Sequence, residues 1–570
     1  MINIEQAVTN KFPAFSQQPD IIRRPTLALL RKIGHEQKIN ALLREHANKN
    51  PLDFIDRIFE HFNFSYTVRS QERGNIPALG RVVIIANHPI GSLDGLALLR
   101  MIREVRSDVR IVANDMLLNV KTLEPLLIPV DNMRNASALK TYRASIECLN
   151  NDEAVIIFPA GEVSRAHPTG VKDSRWRPGF LKLARRARAP VLPINIQAKN
   201  SLLFYSASML FKPLGTVLLA SEMFNKQSSA INFRIGELIT CDAPHSNTLN
   251  DRAILKRLKK HLYKIGSHEQ PIFVTEKTVA HPEDKGQLAQ DFKRMKRLGD
   301  TRDNNGIYIT GYEASPTLIR EIGRLREVTF RKVGEGTGAK RDLDKYDQHY
   351  QHLVLWDKDE LEVAGSYRIG ETAKLLRKYG EDALYTQSLF NFKPAFRPYL
   401  EQSLELGRSF VNPKYWGKSS LDYLWQGIGA YLSHNPDVRY MIGPVSVSAS
   451  YPSALVDHLV FYYQSFYACP EELANAKQPY FISTERRQIL CNLYAEHSRE
   501  SGFSFLQTVF VKEGYKVPVL FKQYTALFEE GGFQLVSFSI DPDFSDCLDG
   551  LFVADLSRLK PAKRKRYLGA

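Results

Sequence analysis

Short apolar runs that alternate with segments of helical period constrain this chain more than any other feature. The run Arg81-Val-Val-Ile-Ile-Ala-Asn-His88 has no polar face, and it breaks at Pro89-Ile-Gly91. From residue 93 to 101 the apolar spacing turns helical. Further apolar runs at 109–113, 126–130, 154–158 and 191–196 are separated by helical stretches such as 138–149 and 180–187. A strand without a polar face must be covered on both sides, so this alternation predicts an α/β sheet flanked by helices.

At 570 residues the chain exceeds what one ordinary core serves, and two domains are expected. The stretch 270–299 is polar, holds Pro271 and Pro282, and ends in Phe292-Lys-Arg-Met-Lys-Arg297. It reads as a linker over 270–300, with a helical segment at 1–60, one domain at 61–269 and a second at 301–570. The second half is again α/β, with strands expected around 307–309, 352–355, 362–369 and 440–447. No internal repeat connects the halves.

Charge narrows the partners. A net charge of +15 calls for something anionic: nucleic acid, an acidic membrane face or an acidic carrier protein. Apart from the pI near 9.3, the tail Lys563-Arg-Lys-Arg566 is the sign favouring nucleic acid, and no recognised binding motif accompanies it. The five cysteines lie far apart without a Cys-x-x-Cys pair, which argues against a disulfide framework or a metal site and suits a reducing cytoplasm. The first residues lack a basic segment followed by an apolar core, which disfavours an exported haemolysin or surface protein. No apolar run reaches the roughly 20 residues that span a bilayer, so any lipid contact is expected from one face, at the cytoplasmic side of the inner membrane.

The motif Asn87-His88-Pro-Ile-Gly-Ser-Leu-Asp94-Gly95 places an imidazole where an apolar strand ends. Asp94 can hold one ring nitrogen while the other takes a proton from a hydroxyl; equally, a strand-end histidine can simply cap a turn. Downstream come Phe158-Pro-Ala-Gly161-Glu162-Val-Ser164-Arg165, Trp176-Arg-Pro-Gly-Phe180 and Pro190-Val-Leu-Pro-Ile194. Over residues 60–265 this succession resembles the glycerolipid and lysophospholipid acyltransferases. The resemblance implies direct acyl transfer, with His88 deprotonating an acceptor hydroxyl, Asp94 orienting the ring, and backbone donors holding the oxyanion. It also marks Gly161, Glu162 and Ser164 as substrate-binding, with Arg134 and Arg165 gripping an anionic group or forming ordinary ion pairs. Two departures stand out. Five residues separate His88 from Asp94 where the family has four, and Gly161 precedes Glu162 where a phosphate block reads Glu-Gly. The second points to an acceptor other than lysophosphatidate.

Two apolar stretches, 201–212 and 213–224, lie ahead of the basic residues Arg252, Lys256, Arg257, Lys259, Lys260 and Lys264. They suit either a pair of core helices or an interfacial membrane contact, where each basic side chain near an anionic surface contributes about 1 kcal/mol.

In the second half, Glu321-Ile-Gly-Arg-Leu-Arg-Glu-Val-Thr-Phe-Arg331 leads to Asp342-Leu-Asp344-Lys-Tyr-Asp347 and Val363-Ala-Gly-Ser-Tyr-Arg368-Ile369. Glu405-Leu-Gly-Arg408-Ser-Phe-Val411 and Tyr415-Trp-Gly-Lys-Ser-Ser-Leu-Asp-Tyr-Leu-Trp425 follow. This order resembles the GNAT-like N-acyltransferases that make lyso-ornithine lipid and, more distantly, the acyl-homoserine-lactone synthases. Chemically, Asp344 and Asp347 suit a cationic nitrogen, Arg368 or Arg408 an α-carboxylate, and Glu405 the proton of an attacking ammonium. The same acids and arginines can instead pair with one another to hold the sheet. No glycine-rich pyrophosphate loop is evident, which favours acyl carrier protein over acetyl-CoA as donor.

Taken together, the halves are similar to the bifunctional ornithine lipid synthases. The expected partners are an acyl thioester on acyl carrier protein or CoA, an amino acid such as ornithine, a lyso-aminolipid and a membrane face, with no resident cofactor and no nucleic acid. The alternative within the same class is a lysophospholipid acyltransferase carrying an accessory GNAT-like domain.

Overall fold

The computed structural model describes all residues except 1–2, 12–14, 16, 115–119, 131–134, 168–169, 202–221, 223–229, 241–248, 268 and 570. The chain divides into two compact units, Met1–His281 and Pro282–Ala570, both mixed α/β.

Among the described residues, the first unit holds a nine-stranded sheet. Its main path runs Ser65–Val68, Ala230–Ile235, Val191–Gln197, Val82–Ala86, Ala154–Ile157, Val109–Asn114, Leu127–Val130. Val82–Ala86 pairs in parallel with a neighbour on each side. Its residues alternate between two cores. Val82, Ile84 and Ala86 pack with the helices Pro51–Phe62 and Ser92–Arg103, while Val83 and Ile85 pack with Gly179–Ala187 and Asp251–Lys264. That is why the run is apolar throughout: the strand has no wet face. Phe54, Ile55, Ile58 and Phe59 of the expected N-terminal helical segment are inside the first of these cores.

The second unit is an eight-stranded sheet ordered Lys296–Asp300, Asn305–Gly311, Gln351–Asp357, Glu362–Glu371, Ser403–Val411, Tyr440–Val447, Cys547–Asp555, Phe533–Asp541. The helix Pro316–Val333 packs Leu318, Ile319, Ile322 and Leu325 against Val354, Trp356 and Val363. From the opposite face Ser420–Ser433 packs Leu424, Trp425 and Ile428 against Leu353, Leu355 and Ala364. One pairing is parallel, between Ser403–Val411 and Tyr440–Val447, and it is registered only over Ser403–Glu405. Beyond that the strands part. Gly443 sits at the parting point, where a Cβ would overlap the carbonyl oxygen of Leu406.

The boundary between the units falls inside the expected linker 270–300, but that segment is structured rather than a bare connection. Thr275–Glu276 pairs with Leu238–Ile239 in the first unit. Lys285–Arg294 is a helix that buries Leu288 and Phe292, and Lys296–Asp300 is the edge strand of the second sheet. Polarity misled because both elements are edge elements with one apolar stripe each. None of the described helices is long and apolar enough to cross a membrane. The apolar stretches around 202–221 lie outside the described residues. Of the basic residues after them, Lys259 turns inward and donates to the carbonyls of Asp173 and Ser174.

Candidate functional site

In the first unit the strand Val82–Ala86 delivers His88 to the sheet's C-terminal edge. Asn87 pins this end, its side chain donating to the Ile196 carbonyl at 2.9 Å and accepting the Ile196 amide at 2.7 Å. Gly91, at φ +101°, makes the turn that a side chain would strain, and Ser92–Arg103 begins there. Asp94 lies in the first helical turn, fully buried. Its Oδ2 accepts the amides of Ile90 at 2.8 Å and Gly91 at 3.3 Å, and the helix N-terminus favours its charge. Its Oδ1 stands 2.8 Å from His88 Nδ1, a contact of ion-pair length that is not aligned as a hydrogen bond. The imidazole stacks on Phe158 with centroids 4.2 Å apart. Burial lowers the His88 pKa, but the carboxylates of Asp94 and then Asp173 outweigh it, and the ring titrates above its ordinary value.

Asp173 carries no motif and is the residue that sequence reasoning missed. It is buried, and its Oδ1 accepts the His88 amide at 3.2 Å and the Ser164 hydroxyl at 2.6 Å. Its Oδ2 accepts the Trp176 indole at 2.8 Å. The Ser164 amide in turn donates to the His88 carbonyl at 2.7 Å. Ser164 is therefore not a ligand-facing hydroxyl as expected: it clamps the histidine's backbone. Gly161 does form a left-handed turn at φ +67°, against the Arg177 guanidinium. Glu162 and Arg165 pair with each other at 3.1 Å on the surface. Arg134 lies outside the described residues.

In the second unit the expected residues converge on one face of the sheet. Arg326, fully buried, donates to Asp347 at 2.7 Å and reaches His352 at 3.2 Å. Arg368, 1% exposed, donates to Asp344 at 2.6 Å and lies 3.4 Å from Asp347. Burial raises the pKa of Asp347, but Arg326 and Arg368 reverse this and hold the carboxyl far below the usual range. His352 is pushed down to about 4, first by burial and then by Arg326. Thus Asp344 and Asp347 bind the protein's own arginines, and the structural alternative holds for them. Arg368 keeps Nε and Nη2 without partners among the described residues, and its guanidinium sits over the rings of Tyr346, Tyr350 and Tyr385.

Arg408 adopts φ +46°, lies over Tyr385 and Phe544, and stands 3.4 Å from Asp342 and 3.7 Å from Asp344. Glu405 is buried, and burial raises its pKa. Each of its oxygens is already engaged: one accepts the Thr386 amide at 2.7 Å, the other the Tyr350 hydroxyl. Tyr350, Tyr385, Arg326 and His352 were not legible as site residues, because nothing local distinguishes them from core aromatics and surface charge.

The chain is an acyltransferase in two parts, as its family matches and relatives show. Residues 9–266 match the Acyltransferase family and residues 325–426 the Acetyltransferase (GNAT) domain family. A glycine N(alpha)-acyltransferase of Phocaeicola vulgatus is 32% identical over 298 residues, 50% of this chain and 89% of that protein. A lyso-glycine lipid O-acyltransferase of Bacteroides thetaiotaomicron is 28% identical over 247 residues, 42% of this chain and 88% of that protein. An L-ornithine N(alpha)-acyltransferase of Brucella abortus is 32% identical over 151 residues, 23% of this chain and 51% of that protein. The chain belongs to the acyltransferase family that includes the glycine N(alpha)-acyltransferases, with an Acyltransferase domain ahead of its GNAT domain.

Proposed function

We propose that this chain builds a two-chain aminolipid in two steps. The GNAT domain acylates the amino group of an α-amino acid, ornithine or glycine, with a 3-hydroxyacyl chain. The first domain then esterifies that hydroxyl. One observation carries this reading: the chain resembles both a glycine N(alpha)-acyltransferase and a lyso-glycine lipid O-acyltransferase, each over nearly its whole length. Fusion would keep the single-chain intermediate at high effective concentration between steps.

In the first step Arg368, with donors to spare above a shell of tyrosines, and Arg408 are suited to the amino acid's carboxylate. In the second, His88 Nδ1 faces Asp94, which leaves Nε2 to take the hydroxyl proton. The alkoxide attacks the thioester carbonyl, the C–O bond forms, the C–S bond breaks, and the proton held by His88 passes to the leaving thiolate. The donor is an acyl thioester on acyl carrier protein or CoA, and the chemistry asks for no resident cofactor.

A peripheral membrane contact at the cytoplasmic side fits this substrate. The helix Asp20–Ile33 supports it: Ile21 is 87% exposed, Leu29 57% and Ile22 54%, with Arg24, Arg31 and Lys32 also exposed on the helix. An apolar stripe edged with cations suits an anionic interface.

Lipid mass spectrometry of a host expressing the chain tests the function. The expected result is a two-chain aminolipid, replaced in His88→Ala by its single-chain N-acyl form. An unchanged lipid profile rejects the reading.

A further inference from the structure

Amine acylation needs a base, because the acceptor enters as an ammonium ion and only its free lone pair attacks. Glu405 is the obvious carboxylate, yet its two oxygens hold Tyr350 and the amide of Thr386. A second buried carboxylate on the same face has no such duty. Asp549 lies on Cys547–Asp555 directly opposite Ser446, beyond the point at Gly443 where the central strands part. It is 1% exposed. The Ser446 hydroxyl donates to its Oδ1 at 2.6 Å, while its buried Oδ2 has no hydrogen-bond partner among the described residues.

Its surroundings mark the side of the sheet on which the acceptor would bind. Leu551 and Val553, two and four residues on along the same strand face, pack with Tyr346, Tyr350 and Tyr385, the rings beneath Arg368. Arg408 and Asp541 act on Asp549 electrostatically, and the Tyr385 hydroxyl donates to Asp541 at 2.8 Å. A buried oxygen with no donor is costly, the more so when charged, unless something that enters the site supplies one. An ammonium group is that donor.

We propose that Asp549 is the carboxylate that binds the α-ammonium of the acceptor and takes its proton, with Glu405 acting as the positioning residue that holds Tyr350 and the Tyr385–Thr386 turn. This rests on the amine-acylation reading given above. The ammonium loses one proton to Asp549 Oδ2, and the amine lone pair forms the C–N bond to the thioester carbonyl. The tetrahedral adduct then breaks the C–S bond, its second N–H proton goes to the departing thiolate, and Asp549 releases the first to solvent.

The charge environment suits the task. Burial raises the Asp549 carboxyl, the Ser446 hydrogen bond opposes this, Asp541 adds to it and Arg408 opposes it, leaving a pKa of about 7. Glu335, Tyr385 and Cys547 also feel its charge. A base at this value is half-ionised at neutral pH and returns its proton readily.

The test uses the full chain, with glycine and ornithine as acceptors and 3-hydroxyacyl-CoA and 3-hydroxyacyl-acyl carrier protein as donors, reading N-acyl product against pH. Wild-type activity should fall on the acid side of pH about 7. Asp549→Asn keeps the acceptor for Ser446 and should lose at least a hundredfold in kcat together with that acid limb, while its melting transition by circular dichroism persists. Ser446→Ala removes the donor that favours the charged form and should move the limb to higher pH. Glu405→Gln should keep the limb where it is. An Asp549→Asn chain with wild-type kcat, or a limb that moves with Glu405 instead, overturns the assignment. A wild-type chain that forms no N-acyl amino acid from any pair rejects the amine-acylation reading itself, and the assignment with it.

Discussion

The backbone amide of His88 donates to Asp173, 85 residues away in the chain, at 3.2 Å. The histidine is thus held from both sides: Asp94 faces its ring, and Asp173 with Ser164 grips its main chain. Asp173→Ala would orphan the Ser164 hydroxyl, the Trp176 indole and the His88 amide. Leaving such buried donors unpaired costs about 1–3 kcal/mol per group before relaxation. The melting temperature of the first unit should drop by several degrees, measured by calorimetry, and Asp173→Asn should recover part of the loss.

With His88 as the proposed base, its protonation sets the pH dependence expected for hydroxyl acylation. Its pKa is raised in the folded protein, and the base form is the neutral ring. Activity should therefore decline as pH falls through a value above 6.5, the unperturbed histidine pKa. Asp94→Asn removes the carboxylate that raises it, so the decline should shift to lower pH while the plateau rate falls about 10²–10⁴-fold. Stability carries the opposite sign. The charged ring's contribution is complete below the unfolded pKa and is lost as pH rises through the folded one. Rate profiles on a synthetic N-(3-hydroxyacyl) amino acid check both limbs.

Arg326 and Asp347 form a buried pair whose partners have nowhere wet to go. Arg326→Met should cost up to about 3–5 kcal/mol, because it removes the nearer of Asp347's two guanidinium partners and leaves Arg368 alone to balance the charge. Adding Asp347→Leu should return much of that stability, with Arg368 losing one of its two carboxylates. Urea denaturation of the single and double variants gives the comparison.

Gly443→Ala should disable amine acylation while sparing hydroxyl acylation. The added Cβ meets the main-chain oxygen of Leu406, which cannot swing aside as a side chain would. Separate assays of the two steps read this directly.

Ile21→Glu with Leu29→Glu should weaken flotation with anionic liposomes and leave the rate on a soluble short-chain substrate unchanged. Both side chains are exposed, so little folded structure depends on them.

Much of the strand and helix order was legible in the residues. The strands at Val82–Ala86 and Val191–Gln197 follow apolar runs almost residue for residue, because burial on both faces leaves little room for polar side chains; Val109–Asn114 follows its run too, with Arg110 exposed on one face. Ser403–Val411 was missed as a strand, since Glu405 and Arg408 interrupt its apolar pattern, Glu405 buried and Arg408 partly buried through tertiary partners. The expected linker 270–300 does contain the boundary between the units, but the elements within it were missed for a related reason. A half-exposed helix and an edge strand look polar until their single apolar stripe finds a neighbour.

What the residues alone determined is the chemistry available: an imidazole and a carboxylate six positions apart at a strand end, and acids and arginines strung through the second half. Composition and period act locally, so they could specify which groups exist and which elements carry them. Only tertiary structure decided their duties. Asp347 pairs with Arg326, Asp344 with Arg368 through one oxygen and with Arg408 at 3.7 Å through the other, Ser164 with Asp173 and Glu405 with Tyr350, while Asp549 has an oxygen with neither a hydrogen bond nor an ion pair among the described residues. The physical reason is that a buried polar group is defined by its partners, and those partners come from elsewhere in the chain.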